Sequence, residues 1–297
     1  MRDYIIYYSK EFMPLSNATT NVLSASNQFG LNVFEGIRIY NDKEFLVFRL
    51  EEHLQRLQHS LLKIGLSEQV ISKDRVLAIL AELIERNNIS GDFAIRMTYL
   101  VNEIGSWHVQ NKPDLFIAPL EKERKGFSNP LKGKIVDIVR ISRNSMDPGI
   151  KCGANYINGR YALLEAKAKG ADVAIMKNIN GYISESSGSC VFMIKNGVIY
   201  TPTLKDDILN SITRDTVIKI CRALERTVLE QHLTEYDLYN ADEVFLCGSA
   251  AEILPVVLDP IIQTDFVVTE TIMNEYMLAV RGVKYLEENW TNKIDVR

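Results

Sequence analysis

The sequence predicts an α/β protein of two domains, on three observations. Segments with strand-like alternation trade places along the chain with amphipathic segments of helical period. The chain is 297 residues long and 46% hydrophobic, enough to bury a large core and to divide it. Between residues 121 and 134 the composition breaks, because "EKERKGFSNPLKGK" is charged, carries Gly and Pro and has almost no apolar pattern. A smaller N-terminal domain is therefore expected at 1–120, a linker at 121–130 and a larger C-terminal domain at 131–297.

Residues 3–8, "GLNVFEGIRIYN" (30–41) and 45–48 read as short strands, with Gly30, Gly36 and Asn41 as breakers. In "RLEEHLQRLQHSLLKIGL" the stripe Leu50, Leu54, Leu57, Leu61 and Ile64 keeps helical spacing, while Arg49, His53 and Arg56 share another face. His53 and His59 are expected in solvent. Asp74 is expected to cap a second helix, "RVLAILAELIERNN", and strands follow at "DFAIRMTYLV" and "DLFIAPL". The second half opens on a strand-like "IVDIVRIS" (135–142), then a helix through "YALLEAKAKG" that stops at Gly170. Strands "DVAIMKN", "GYISES" and "CVFMIKNGVIYTP" carry Asn-Gly hairpin signals at 180–181 and 196–197. A helix near 213–226 and a strand "EVFLCG" come later.

With 38 acidic and 34 basic residues the net charge is -4, and no long basic run provides a nucleic-acid footprint. Cys152, Cys190, Cys221 and Cys247 form no Cys-x-x-Cys pair, and "MRDYIIYYSKEFMPL" has no signal-like apolar stretch, so a reduced, cytoplasmic setting is expected. No apolar run approaches the roughly 20 residues of a spanning helix. The four histidines never reach ligand spacing with a cysteine or acid pair, so no metal is expected. There is also no G-x-S-x-G elbow, Walker loop or G-x-G-x-x-G fingerprint.

Lysine remains as the candidate for covalent chemistry. In "IKCGANYINGRYALLEAK" Lys151 lies among small and apolar residues that could lower an amine pKa from its reference of about 10.4, though a surface lysine in a loop fits the same pattern. In "NGYISESSGSCVF" Glu185 interrupts a strand before a small-residue loop, where it could face a cationic ring nitrogen or simply water. Ser211 and Thr213 stand at a helix start, suited to a phosphate or to capping alone. The turn in "EVFLCGSAAEILPV" could form an anion nest.

Taken in order, "VFEGIR" (33–38), "HLQRL" (53–57), "KCGANY" (151–156), "GYISE" (181–185), "SITRD" (211–215) and "ADEVFLCGSAAEILPV" (241–256) resemble the class IV, or fold type IV, pyridoxal-phosphate aminotransferases of branched-chain and D-amino acids. The resemblance covers most of the chain, and "VFEGIR" is closest to the branched-chain motif. It implies the D-amino-acid aminotransferase-like fold, with a small N-terminal α/β domain, a larger C-terminal domain built on a β-barrel-like sheet, and pyridoxal 5'-phosphate shared by the two halves. Lys151 would form the internal aldimine and shuttle the proton between Cα and C4'. Glu185 would hold the pyridine nitrogen protonated, and Tyr156 would bond the ring's phenolate oxygen. Arg56, the Ile212 N–H, Thr213 and Ser249 would grip the phosphate. Phe34, Arg38 and Arg96, with the turn amides of Ser249 and Ala250, would meet the amino acid.

The same resemblance implies a homodimer in which "NEIGSWHVQNKPD" (102–114), with Trp107 and His108, closes the neighbour's site. Transfer between a branched-chain or other hydrophobic L-amino acid and 2-oxoglutarate is the expected reaction. Branched-chain enzymes usually carry tyrosine where this chain has Phe29, and aromatic residues where it has "LEKERKG". A polar or specialised amino acid, a D-amino acid, an aminodeoxychorismate lyase reaction and a scaffold without chemistry are the alternatives.

Overall fold

The computed structural model describes residues 3–110, 112–124, 129–259 and 265–296. Residues 125–128 of the expected linker lie outside the described residues. The chain forms two compact units, one of Met1–Arg124, Ile150–Ala154 and Leu278–Arg297, the other of Lys125–Gly149 and Asn155–Met277. The expected partition at 121–130 contains neither of the two returns to the first unit. Both returns are made by hydrogen bonds to residues far away in sequence, which composition does not record.

In the first unit β1 (Ile5–Tyr8), β2 (Glu11–Pro14), α1 (Ala25–Phe29), β3 (Asn32–Asn41), β4 (Phe45–Phe48), α2 (Leu50–Lys63), α3 (Lys73–Asn87), β5 (Phe93–Leu100) and β6 (Asp114–Glu121) follow in order. In β3 and β5, Ile37 pairs with Ile95 and Glu35 with Met97, while the alternate positions pair Phe34 with Thr98 and Gly36 with Arg96. Because strand side chains alternate, these two sets lie on opposite faces. Val33, Ile37, Ile39, Ile95 and Met97 join Leu50, Leu57, Leu61, Val76, Leu80 and Leu83 in one core. Thus α2 and α3 cover one face, and Phe34, Gly36, Arg38 and Arg96 stand on the other.

Ser72, rather than Asp74, caps α3: its hydroxyl accepts from the Arg75 N–H at 3.3 Å and the helix begins at Lys73. Asp74 lies inside the first turn, where its charge still suits the positive end of the helix dipole. The polar face of α2 is also not the solvated one expected, since His53 is 2% exposed, whereas His59 is exposed. A buried acid on β3 takes the His53 ring, as described below.

The second unit contains β7 (Leu131–Ile135), α4 (Tyr156–Ala168), β8 (Val173–Lys177), β9 (Ile183–Ser186), β10 (Cys190–Lys195), β11 (Val198–Thr201), α5 (Ile212–Ala223), β12 (Val228–Glu230), α6 (Glu235–Tyr239), β13 (Glu243–Gly248) and β14 (Glu252–Leu258). Their eight-stranded sheet runs β12-β11-β10-β13-β14-β7-β8-β9. It is mixed, with parallel pairs at β11/β12, β14/β7 and β7/β8. After these come α7 (Val267–Val280) and β15 (Thr291–Lys293). β15 pairs with β4 to complete the first unit's sheet, β15-β4-β3-β5-β6-β1-β2.

The strand expected at "IVDIVRIS" instead ends at Ile135. The N–H groups of Asp137 and Ile138 turn to the Glu165 carboxylate of α4, at 3.0 and 3.1 Å, and so leave the ladder. Conversely β9 does not break at Glu185: Ser186 still pairs with Ile175, and its N–H reaches the Ser189 carbonyl at 2.8 Å. Asn196 and Gly197 both have positive φ, 50° and 77°, the backbone that a two-residue hairpin turn requires. Among the described residues all four cysteines are free and buried, no group of three or more His, Cys, Asp or Glu could hold a metal, and no helix is long and apolar enough to cross a membrane.

Candidate active site

Lys151 belongs to the first unit because its backbone is fastened there. Its N–H donates to the Ser60 hydroxyl of α2 at 3.1 Å, its carbonyl accepts from the Phe34 N–H at 3.1 Å, and Cys152 forms a bridge with Val33. The Gly153 N–H adds a bond to the Asn32 carbonyl at 3.3 Å. A Cβ on Gly153 would stand 2.7 Å from the Asn32 side-chain oxygen, so a larger residue here would have to displace the Asn32 side chain. The lysine is thus placed by β3 and α2, not by its own loop.

The Lys151 Nζ lies 5.2 Å from the centre of the Phe34 ring, and the Arg96 guanidinium lies 4.2 Å from it. Two cations on one aromatic ring are attracted by its quadrupole and repel each other. A Cβ on Gly36, between Phe34 and Arg38 on this face, would meet nothing within 4 Å, so the sheet is open there. Arg38 donates to the Lys122 carbonyl at 2.9 Å and lies over Tyr40. Trp107 is 71% exposed and meets Phe29 and His108 edge to face.

Behind Phe34, on the opposite face of β3, Glu35 is 0% exposed. Its Oε1 accepts from Arg56 Nε at 2.7 Å, and its Oε2 accepts from Arg56 Nη2 at 2.8 Å and meets His53 Nδ1 at 2.7 Å. Burial by itself would raise the Glu35 carboxyl, but the Arg56 guanidinium and then His53 hold it well below the ordinary carboxylate range. Burial lowers His53 from its ordinary value; the Glu35 charge opposes this, and Arg56 and Lys151 add to the lowering. A guanidinium carries five donors, more than this fork uses, and the fork fixes its plane.

In the second unit Glu185 is buried, its Oε1 2.7 Å from Arg140 Nη2 and its Oε2 accepting from the Leu209 N–H at 3.2 Å. Tyr156 is the first residue of α4 and is exposed. Ser211 caps α5, its hydroxyl accepting from the Arg214 N–H at 3.3 Å. The N–H groups of Ile212 and Thr213 precede the first intrahelical bond, so they point out along the helix start. Ser249 and Ala250 occupy the β13–β14 hairpin turn, which closes on Glu252 at φ 56°.

Each unit carries groups whose chemistry suits part of pyridoxal phosphate: an amine for its aldehyde and a guanidinium for its phosphate in the first, a buried carboxylate for its pyridine nitrogen and a helix N-terminus for its phosphate in the second. The sequence-predicted residues of the first unit, Phe34, Arg96 and Lys151, come together on one face, with Arg56 anchored behind Phe34. Those of the second unit lie on the starts of α4 and α5, on β9 and in one hairpin turn. The sequence assigns no site role to Glu35, Ser60 or Arg140, and places His53 in solvent. Glu35 was findable, because it interrupts the buried stripe Val33, Ile37 and Ile39, and an acid on a core face must have partners. Arg140, a single base in the apolar run "IVRIS", leaves only a faint signal.

With this fold and this set of side chains, the protein is a pyridoxal-phosphate-dependent aminotransferase of fold type IV. Residues 32–258 match the amino-transferase class IV family, and the chain belongs to it. It is 35% identical over 264 residues to the branched-chain-amino-acid aminotransferase of Escherichia coli K12, covering 86% of this chain and 84% of that protein. The branched-chain aminotransferase of Thermoproteus uzoniensis, solved with norvaline, superposes with a TM-score of 0.92 at 31% identity, over 98% of this chain and 99% of that one. The branched-chain amino acid aminotransferase of Thermobaculum terrenum, solved in its PLP holo-form, gives 0.90 at 29% identity, over 99% and 100%.

Proposed function

We propose that the protein transfers the amino group of a branched-chain or other hydrophobic L-amino acid to 2-oxoglutarate, as a cytoplasmic homodimer. The observation that carries this is the Phe34 ring with Arg96 and Lys151 both close to it: an apolar ring suits an aliphatic side chain, and Arg96 beside it suits a carboxylate. One face can then accept both an aliphatic amino acid and a dicarboxylic 2-oxo acid. The names of the related proteins support the same substrate class.

Pyridoxal phosphate, when bound, supplies the aldehyde that takes the amino group and the ring that accepts electrons from the substrate. The Lys151 amine holds the cofactor and moves the proton at the substrate Cα. Glu185 keeps the proton at the pyridine nitrogen, and Tyr156 bonds the phenolate oxygen. Arg56, Thr213, Ser249 and the Ile212 N–H bind phosphate. Arg38, Arg96 and the amides of Ser249 and Ala250 orient the substrate, while Trp107 excludes water over the partner's site.

The test is a single-turnover titration of cofactor-loaded protein with L- and D-amino acids and no acceptor, measuring 2-oxo acid released per site. Release from L-leucine, L-isoleucine, L-valine and L-glutamate is expected. Release only from D-amino acids, or only from polar ones, would replace this substrate assignment.

A further inference from the structure

We propose that Arg140 is a positioning residue for the ring-nitrogen partner, acting through Glu185 and itself set in place by Asn158 of α4. The proposal rests on the assignment of Glu185 to the pyridine nitrogen. Arg140 and Glu185 have side chains only 9% and 7% exposed, and they face each other at 2.7 Å. Two long polar side chains are not withdrawn from water together without a geometry that compensates them.

That geometry fixes the carboxylate from both sides. Oε1 takes the Arg140 Nη2 hydrogen and Oε2 takes the Leu209 N–H at 3.2 Å, so the plane of the carboxylate is set before any ligand approaches. Leu209 lies on the segment that leads into the Ser211 cap of α5, which ties the carboxylate to the proposed phosphate cradle. A guanidinium stays charged under all ordinary conditions, so the group opposite it is matched as an anion, the form that accepts a pyridinium N–H.

Arg140 is held with equal definition. Its backbone N–H donates to the Lys177 carbonyl at 2.9 Å, and its Nη1 donates to the Asn158 side-chain oxygen at 3.2 Å. The same oxygen accepts from the Ile141 N–H at 3.1 Å, and the Asn158 amide donates to the Val139 carbonyl at 2.9 Å. Asn158 thereby clamps residues 139–141 to the first turn of α4, two residues after Tyr156. Through Arg140, Asn158 in the first turn of α4 therefore orients Glu185 at second hand.

The deciding measurement is cofactor affinity, not turnover. Dissociation constants for pyridoxal 5'-phosphate and 1-deazapyridoxal 5'-phosphate, in which carbon replaces the ring nitrogen, are determined for the wild type, Arg140→Gln, Arg140→Lys and Asn158→Ala. A charge-assisted bond contributes about 1.5–3 kcal/mol, or roughly 10- to 150-fold. The wild type should prefer the natural ring by a factor in that range. Arg140→Gln should lose most of this preference, Arg140→Lys less of it, and Asn158→Ala about threefold. Asn158→Ala keeps both charges in the protein, so it tests the relay even if Arg140→Gln does not fold. Parallel weakening of both ligands, with the preference intact, would reduce Arg140 to a structural role and overturn the proposal. Equal affinity of the wild type for both rings would remove Glu185 from the nitrogen, while failure to bind either would overturn the cofactor site itself.

Discussion

Glu35 has no solvent contact, so the charge it carries must be met within the protein, and Arg56 and His53 meet it. Breaking such a buried pair leaves an uncompensated charge, and Glu35→Ala should cost about 3–5 kcal/mol in urea unfolding at neutral pH. Its pH dependence has a definite sign. The folded pKa values of both Glu35 and His53 are depressed, so each contributes stability above its unfolded value and loses it as pH falls. Stability should begin to decline below about pH 6.5 through His53, and again below about pH 4.3 through Glu35. Urea midpoints measured from pH 8 to 5 should show the first decline in wild type and a flatter curve in His53→Gln; an identical slope would disconnect His53 from it. Lys151→Ala should leave the circular dichroism unchanged and abolish turnover, and transamination at the wild-type rate would remove the lysine from the chemistry.

At the scale of elements, two contacts decide how α4 and α5 present their starts. Gly159 faces the Ser187 carbonyl so closely that an added Cβ would stand 2.5 Å from that oxygen. Backbone cannot swing aside like a side chain, so Gly159→Ala should destabilise by about 1–3 kcal/mol, despite alanine's better helix propensity. A variant melting at or above the wild-type temperature would show that α4 shifts without cost. On α5, Ser211→Ala removes the cap of the Arg214 N–H and should cost about 1 kcal/mol. The phosphate binding proposed for that helix start should weaken with it, read as a higher dissociation constant for pyridoxal phosphate; unchanged affinity would separate the cap from the proposed cradle.

For the whole molecule, a cofactor that binds the folded chain and not the unfolded one must raise its stability by mass action. At a hundredfold excess over the dissociation constant the gain is about 2.7 kcal/mol. Protein stripped of cofactor should melt at lower temperature than reloaded protein, with the difference growing with cofactor concentration. Equal melting temperatures would contradict specific binding to the folded state.

The sequence by itself determined the succession of strands and helices, the Asn-Gly turn at 196–197 and the class IV family, because period, turn chemistry and the order of short motifs are local or collinear properties. Its motifs also singled out Lys151, Arg56, Glu185 and Thr213. Only the tertiary structure decided what those residues touch. The Lys151 N–H finds Ser60 across 91 positions, Arg56 finds Glu35 across 21, and Asn158 finds Arg140 across 18. The same holds for the exit of β7 at Ile135, which Glu165 draws out of the ladder, and for the return of Ile150–Ala154 to the first unit. Buried charge is neutralised by whatever partner the fold brings within about 3 Å, and hydropathy patterning says that a partner must exist without saying where along the chain it lies.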